Sequence, residues 1–414
     1  MSAPAPQAGD TRIVAAVATV HACSHFFHLL VVPLFPWIRP EIGLSYAQLG
    51  MMMTVFYVVS GVGQALAGFV VDRIGPVPVL LASLALFVLA ALVVATAPGY
   101  GALVAGMAIA GVGNATFHPV DYSILNARIA TPRLGRAYAT HGVAGSLGWA
   151  AAPVFLVGIA QFAHWRVAVA AAGALAGALA LWVWVERERL AGAPVGRLGV
   201  VRAPPSAAGR ADQDEFAFLR LPAVWMSFGF FLVLAVSFSA VQTFGPESAG
   251  QLHGVAPHWV ALCLTVYMLC SAAGILVGGI VASDPSRAEP TIAVSYGVAA
   301  CTAVILGLVS VPAWAVPLLF GLLGAGSGMA GPSRDLLVRR ATPPGATGRV
   351  YGTVYSGLDA GMALSPLAFG WLMDHGQTAA VWLGIAAFQI LLIATAVNVG
   401  RLARTPTAAA AAGR

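Results

Sequence analysis

The sequence predicts an all-α membrane protein with twelve transmembrane helices in two pseudo-symmetric six-helix bundles. Three observations carry that prediction: an apolar, charge-poor composition, a succession of twelve long apolar segments, and an internal repeat at a shift of 213 residues. Of the 414 residues, 59% are hydrophobic and 9% charged, and the mean hydropathy is +0.86. An ordinary soluble domain is about a quarter charged, so this composition cannot cover a water-facing surface. It excludes a soluble enzyme and a nucleic-acid-binding module, despite the formal net charge of +6. At roughly 20 residues per crossing, the length accommodates about twelve crossings.

The apolar segments fall at 12–34, 47–71, 77–97, 101–126, 136–160, 166–185, 222–245, 258–282, 289–311, 313–336, 350–372 and 378–400. The first is too long for a signal peptide, carries three histidines and lacks a small-residue cleavage pattern before Pro33. Orientation follows from the basic residues, all 21 of which are arginine. With the N-terminus inside, only Arg39 and Arg166 lie outside, so both termini are expected in the cytoplasm. The expected location is the bacterial inner (cytoplasmic) membrane.

The polar stretch 186–220 reads as a cytoplasmic linker between an N-terminal bundle, 1–185, and a C-terminal bundle, 221–402, with a low-complexity tail at 403–414. Shifting the chain by 213 residues lays Gly111, Gly113, Pro119, Gly135, Arg136, Tyr138, Gly148 and Pro153 on Gly324, Gly326, Pro332, Gly348, Arg349, Tyr351, Gly361 and Pro366. Pro33 falls on Pro246 and Gly61 on Gly274 at the same shift. Two such repeats form a transporter architecture, with a substrate site near the midplane between the halves.

Titratable side chains inside a bilayer are costly, and so are functional candidates. His21, His25 and His28 follow one another at spacings of four and three, on one face of the first helix. That face is expected to line the central cavity, either as a protonatable stripe or as neutral hydrogen-bonded packing. His118 and Asp121 share a face of the fourth helix, where Pro119 removes a hydrogen bond to the Ala115 carbonyl and should kink the helix. Asp121 reads either as a proton carrier or as a partner of Arg128 or Arg136. His141 precedes Gly142, Gly145 and Gly148 on the fifth helix, where the glycines permit close packing. The second half offers Gln242, Tyr355 and Asp359, and Tyr57 adds an aromatic that could line the cavity.

The four cysteines, Cys23, Cys263, Cys270 and Cys301, sit in apolar runs and predict no disulfide. His21, Cys23, His25 and His28 make no defined ligand set on their own helix, because Cys23 points away from the histidines and no carboxylate accompanies them. Neither a metal nor another cofactor is therefore expected. There is no P-loop and no hydrolase or Rossmann fingerprint. An ATP-driven pump and a membrane enzyme give way to a transporter driven by an ion gradient.

Between the second and third segments the chain reads Gly68-Phe-Val-Val-Asp72-Arg73-Ile-Gly75. This resembles the G-x-x-x-D-R-x-G signature of the major facilitator superfamily, and the resemblance extends over essentially the whole chain. It implies a gating network at the cytoplasmic mouth made by Gly68, Asp72, Arg73 and Gly75, to which Arg136 is added. Ser24-His25-Phe26 with Pro33, Ser45-Tyr-Ala-Gln48-Leu-Gly50, and Gly111 to Pro119 are similar to the fosmidomycin-resistance type of exporter. Gly142 to Pro153 resembles a glycine-proline motif common among antiporters. The arginine usual in that family four residues before Gly111 is Met107 here, and the family's acid on the first helix gives way around His28.

The resemblance implies a proton-coupled antiporter that exports a small organic molecule, with the bilayer, protons and the solute as its partners. A monomer suffices for this. The alternatives are a proton symporter importing an organic anion drawn by Arg39 or cationic histidines, a metal-ion transporter, and a non-transporting membrane receptor.

Overall fold

The computed structural model describes residues 8–191, 222–281, 288–341 and 347–404. Among these residues every regular element is helical: α1 (Ala8–His28), α2 (Phe35–Ile42), α3 (Tyr46–Ile74), α4 (Pro76–Ala95), α5 (Tyr100–Asn114), α6 (Phe117–Arg128), α7 (Thr131–Phe162), α8 (Trp165–Ala191), α9 (Pro222–Thr243), α10 (Gly245–His253), α11 (Pro257–Val281), α12 (Ala288–Leu308), α13 (Val316–Ala341), α14 (Thr347–Asp374) and α15 (Thr378–Arg404). Eleven stretches of the described residues are long and apolar enough to cross a membrane. The 28-residue α14 stands in the position of the remaining crossing. The first six residues of the expected linker continue α8 to Ala191, and the rest of it, like most of the tail, lies outside the described residues.

Below, the near face is the one where α1 begins, and the far face is the opposite one. The first crossing is longer than its apolar run suggests. It loosens after His28, passes through a short 3-10 turn at Val32–Leu34 and ends on the far face in α2. Pro33 sits in that turn, where its fixed φ and missing N–H do no harm. The seventh crossing repeats the device, with α9 giving way to α10 beside Pro246. The α3 helix starts with a capping box, the Ser45 hydroxyl accepting from Gln48 N and the Gln48 side chain accepting from Ser45 N. It ends at Gly75, whose φ of +95° turns the chain into Pro76 at the start of α4.

The expected kink in the fourth crossing shows as a local interruption at Ala115 and Thr116, both of which keep right-handed helical angles. The α5 helix stops at Asn114 and α6 starts at Phe117, two residues before Pro119. Pro119 has no N–H for the Ala115 carbonyl, while the Thr116 carbonyl still accepts from Val120 N and its hydroxyl meets that of Ser83 on α4. The fifth crossing, α7, packs closely on α1. Gly148 lies against the Ala22 backbone and Gly145 against the rings of His25 and His21, leaving no room for a Cβ. Gly142 has open space around it, so only two of the three glycines act as packing contacts.

The halves meet through α3 against α14 and α7 against α11. Their side-chain hydrogen bonds lie toward the far face. Asp374 at the end of α14 accepts from Tyr46 N at 2.6 Å and Ala47 N at 2.8 Å, capping the start of α3 from across the molecule. The Tyr46 hydroxyl donates to Glu247 and accepts from Gln251, both on α10. Deeper in, Thr54 donates to the Ala363 carbonyl and Thr265 to the Ala150 carbonyl. The near half of α3 is bare by contrast: Val62, Leu66 and Phe69 are 62%, 59% and 76% exposed. The described halves are thus joined at the far face and parted at the near face.

Candidate functional site

The first half contains a polar cluster in an otherwise apolar bundle. Asp121, in the second turn of α6, is completely buried. Its Oδ2 lies 3.0 Å from His21 Nδ1 on α1 and 3.0 Å from His141 Nε2 on α7. When the carboxylate is ionised it only accepts hydrogen bonds, and in that state His21 donates from Nδ1 and His141 from Nε2. The two rings stack with centroids 3.5 Å apart. Asp121 Oδ1 has no hydrogen-bond partner among the described residues. Asp121 stands on the face of α6 that packs against α1 and α7.

Around this centre the other histidines take different surroundings. His118 lies one turn before Asp121, its ring centroid 5.1 Å from His21 and 6.0 Å from His141. His25 stacks near Trp149 at 4.1 Å. His28 Nε2 is 3.0 Å from Asn114 Oδ1, which also accepts from the Ser24 hydroxyl, while the Asn114 amide donates to Ser60. Asn114 thereby ties α1, α3 and α5 together. It was missed as a site residue, although it stands inside the Gly111–Pro119 run that carried the resemblance.

The histidine stripe is not a uniform cavity lining. His21 is 2% exposed and sealed between α1, α6 and α7, whereas His25 and His28 are half-buried beside Trp149. Asp121 pairs with neither Arg128 nor Arg136 in the structure: two imidazoles take that place. Tyr57 is buried near His28, ring centroids 5.9 Å apart.

The second-half candidates stand apart from this cluster. Gln242 is buried on α9, its amide nitrogen 3.9 Å from the Met268 sulfur and its oxygen unpartnered among the described residues. Asp359 of α14 faces Gly61 of α3, so it lies at the seam between the halves. The side chain of Tyr355 lies outside the described residues. Arg39 sits on the far face over the Tyr46 ring at 4.1 Å.

Among the described residues, the side chains of the near-face motif make no hydrogen bond or ion pair. Asp72, Arg73 and Arg136 are exposed, and Gly68 has nothing within 4 Å of where a Cβ would stand.

Helix α1 alone supplies no metal-ligand set, but three helices together present one. His21, His118 and His141 each offer a ring nitrogen, and these nitrogens lie within 4.8 Å of one another beside Asp121.

Comparison with known proteins agrees with this architecture. The family model described as Major Facilitator Superfamily matches residues 17–321 and 233–413. The chain is 29% identical over 144 residues to the Fosmidomycin resistance protein of Escherichia coli (strain K12), covering 34% of this chain and 35% of that protein. It is 28% identical over 164 residues to the Uncharacterized MFS-type transporter YfnC of Bacillus subtilis (strain 168), covering 38% and 40%. The matched regions thus span only about a third to two fifths of these relatives' length.

Among solved structures, a bacterial homolog of the human lysosomal transporter Spinster, in an inward-facing and unoccupied conformation, superposes with a TM-score of 0.73 at 15% identity, over 96% of this chain and 97% of that one. The nucleoside transporter NupG gives 0.73 at 14% identity, over 95% and 99%. At such identities the likeness is one of fold. The family match, the all-helical architecture and the run of apolar crossings agree: this chain belongs to the Major Facilitator Superfamily and is a multi-pass membrane protein.

Proposed function

We propose that the protein is a secondary active transporter that exports a small organic molecule in exchange for protons, by alternating access across the bacterial inner membrane. The observation that best supports proton coupling is the Asp121 carboxylate, closed off from solvent and shared by His21 and His141. With both imidazoles neutral this centre holds one buried negative charge, a costly arrangement in a low-dielectric bundle. A single proton cancels it. A centre that gains a proton when open to the outside and loses it when open to the cytoplasm can drive a solute the other way.

In this reading the arginine count places the near face in the cytoplasm, so the parted near face is the inward-open side. The solute binds between the halves. His25, His28 and Tyr57 line the site from the first half and Gln242, Tyr355 and Asp359 from the second. The bundles 1–185 and 221–402 rock about it, joined by the linker 186–220. Asp72, Arg73 and Arg136 close the cytoplasmic mouth in the opposite state, and Gly68 and Gly75 allow the chain to fold tightly there. The likeness to a fosmidomycin resistance protein supports the outward direction.

The test is gradient collapse in everted vesicles, challenged with a panel of antibiotics, siderophores and small organic acids. A compound that discharges the proton gradient only in vesicles containing the protein supports exchange. Proton movement in the same direction as the solute would instead establish import, and solute binding without flux under any gradient would end the transport reading.

A further inference from the structure

We propose that His21, His118, His141 and Asp121 form a binding site for one divalent transition-metal ion of the zinc, cobalt and nickel class. The donors come from three separate helices, α1, α6 and α7, and already converge. The three histidine nitrogens lie within 4.8 Å of one another. In a tetrahedral site with bonds of about 2.0–2.1 Å, donors stand about 3.4 Å apart, so closure requires shifts on the order of 1 Å. Asp121 Oδ2 lies 3.0 Å from both His21 and His141.

A second observation points to a ligand. Asp121 is completely buried, yet its Oδ1 has no hydrogen-bond partner among the described residues. An unpaired buried carboxylate oxygen is costly, and a cation would supply its missing partner. The donor chemistry selects the ion, since three imidazoles and one carboxylate suit zinc, cobalt or nickel. Magnesium and calcium seek sets made of oxygens. His118 is partly exposed and makes no hydrogen bond among the described residues, so it can swing onto an ion and offers the route in. His25 and His28 stay outside the set, the first packed on Gly145 and the second held by Asn114. The consequence for transport rests on the proton reading above: the ion occupies the donors that hold the coupling proton, and so it arrests proton exchange.

The test is a Co2+ titration of the purified protein in detergent, because four-coordinate cobalt absorbs strongly in the visible. One equivalent per chain should develop that spectrum, Zn2+ should abolish it and excess Mg2+ should not. His118→Ala and His141→Gln should each weaken binding by about 10- to 100-fold or more, while His253→Ala in the other half should leave it unchanged. His118→Ala removes no hydrogen bond among the described residues and is the variant most certain to fold, which size-exclusion elution checks. Absence of the four-coordinate spectrum, or binding that both His118→Ala and His141→Gln leave unaltered, overturns the site. A bound ion that does not slow proton flux upholds the site and counts against Asp121 as the proton carrier, so the two readings fail separately.

Discussion

The two halves share a scaffold and differ in what they hold inside it. The shift of 213 residues carries His21, His25, His28, His118, Asp121 and His141 onto Leu234, Phe238, Val241, Gly331, Arg334 and Val354. The packing positions behave otherwise. Gly148 lies on the Ala22 backbone of α1, and its counterpart Gly361 lies on the Leu232 carbonyl and Ala235 of α9. The first and seventh crossings loosen at equivalent points. The fourth and tenth do not match: the helix is interrupted at Ala115 and Thr116 before Pro119, whereas α13 runs through Pro332. The glycine contacts and the loosened first and seventh crossings are therefore common to both halves, whereas the equivalent prolines Pro119 and Pro332 are not matched in their effect. The titratable cluster is an addition to one half.

The largest effects should come where the halves are alike. Gly148→Leu and Gly361→Leu both force a side chain into a neighbouring helix, and each should cost about 3 kcal/mol or more. Thermal melting in detergent would show it, and a large drop for only one of the pair would break the equivalence. Next come the positions where they differ. His21→Ala strips one partner from a buried carboxylate and should cost about 1–3 kcal/mol together with gradient-driven transport. Leu234→Ala, at the equivalent place, should lose some stability and keep coupling. Smaller still is the seam. Asp374→Ala removes the cap that the second half lends to α3. It should favour far-face opening by about 1–2 kcal/mol, a factor of roughly 5–30 in population, read as longer spin-label distances across that face. The least effect is expected at the near-face rim, where Arg133 pairs with Asp10 at 2.6 Å. Arg133→Ala should change stability by no more than about 1 kcal/mol, again by melting.

Much of this scaffold was legible because its causes are local or periodic. Apolar run length gives the crossings, Pro119 marks the interrupted turn, and the spaced glycines and prolines give the repeat. The short far-face helices α2 and α10 were not legible, since Phe35–Ile42 and Gly245–His253 are too short to stand out beside the apolar runs they extend. At the site, the sequence named His21, Asp121 and His141 separately, because an ionisable group in an apolar run is conspicuous. It did not pair them. Asp121 and His141 stand 20 residues apart and His21 and Asp121 100, and only the packing of α7 on α1 decides which ring reaches the carboxylate. The role of Asn114 was hidden for a related reason: its partners Ser24, His28 and Ser60 lie on two other crossings.

The most direct test of the claim that coupling resides in the first half is proton flux into proteoliposomes containing a pH dye. Wild type, Asp121→Asn and Asp359→Asn would be compared using a transported compound found in the vesicle screen. The expected result is flux reduced to background in Asp121→Asn, with Asp359→Asn still moving protons at a rate altered only by weaker solute binding. Undiminished proton flux through Asp121→Asn, or its loss in Asp359→Asn alone, would contradict the account.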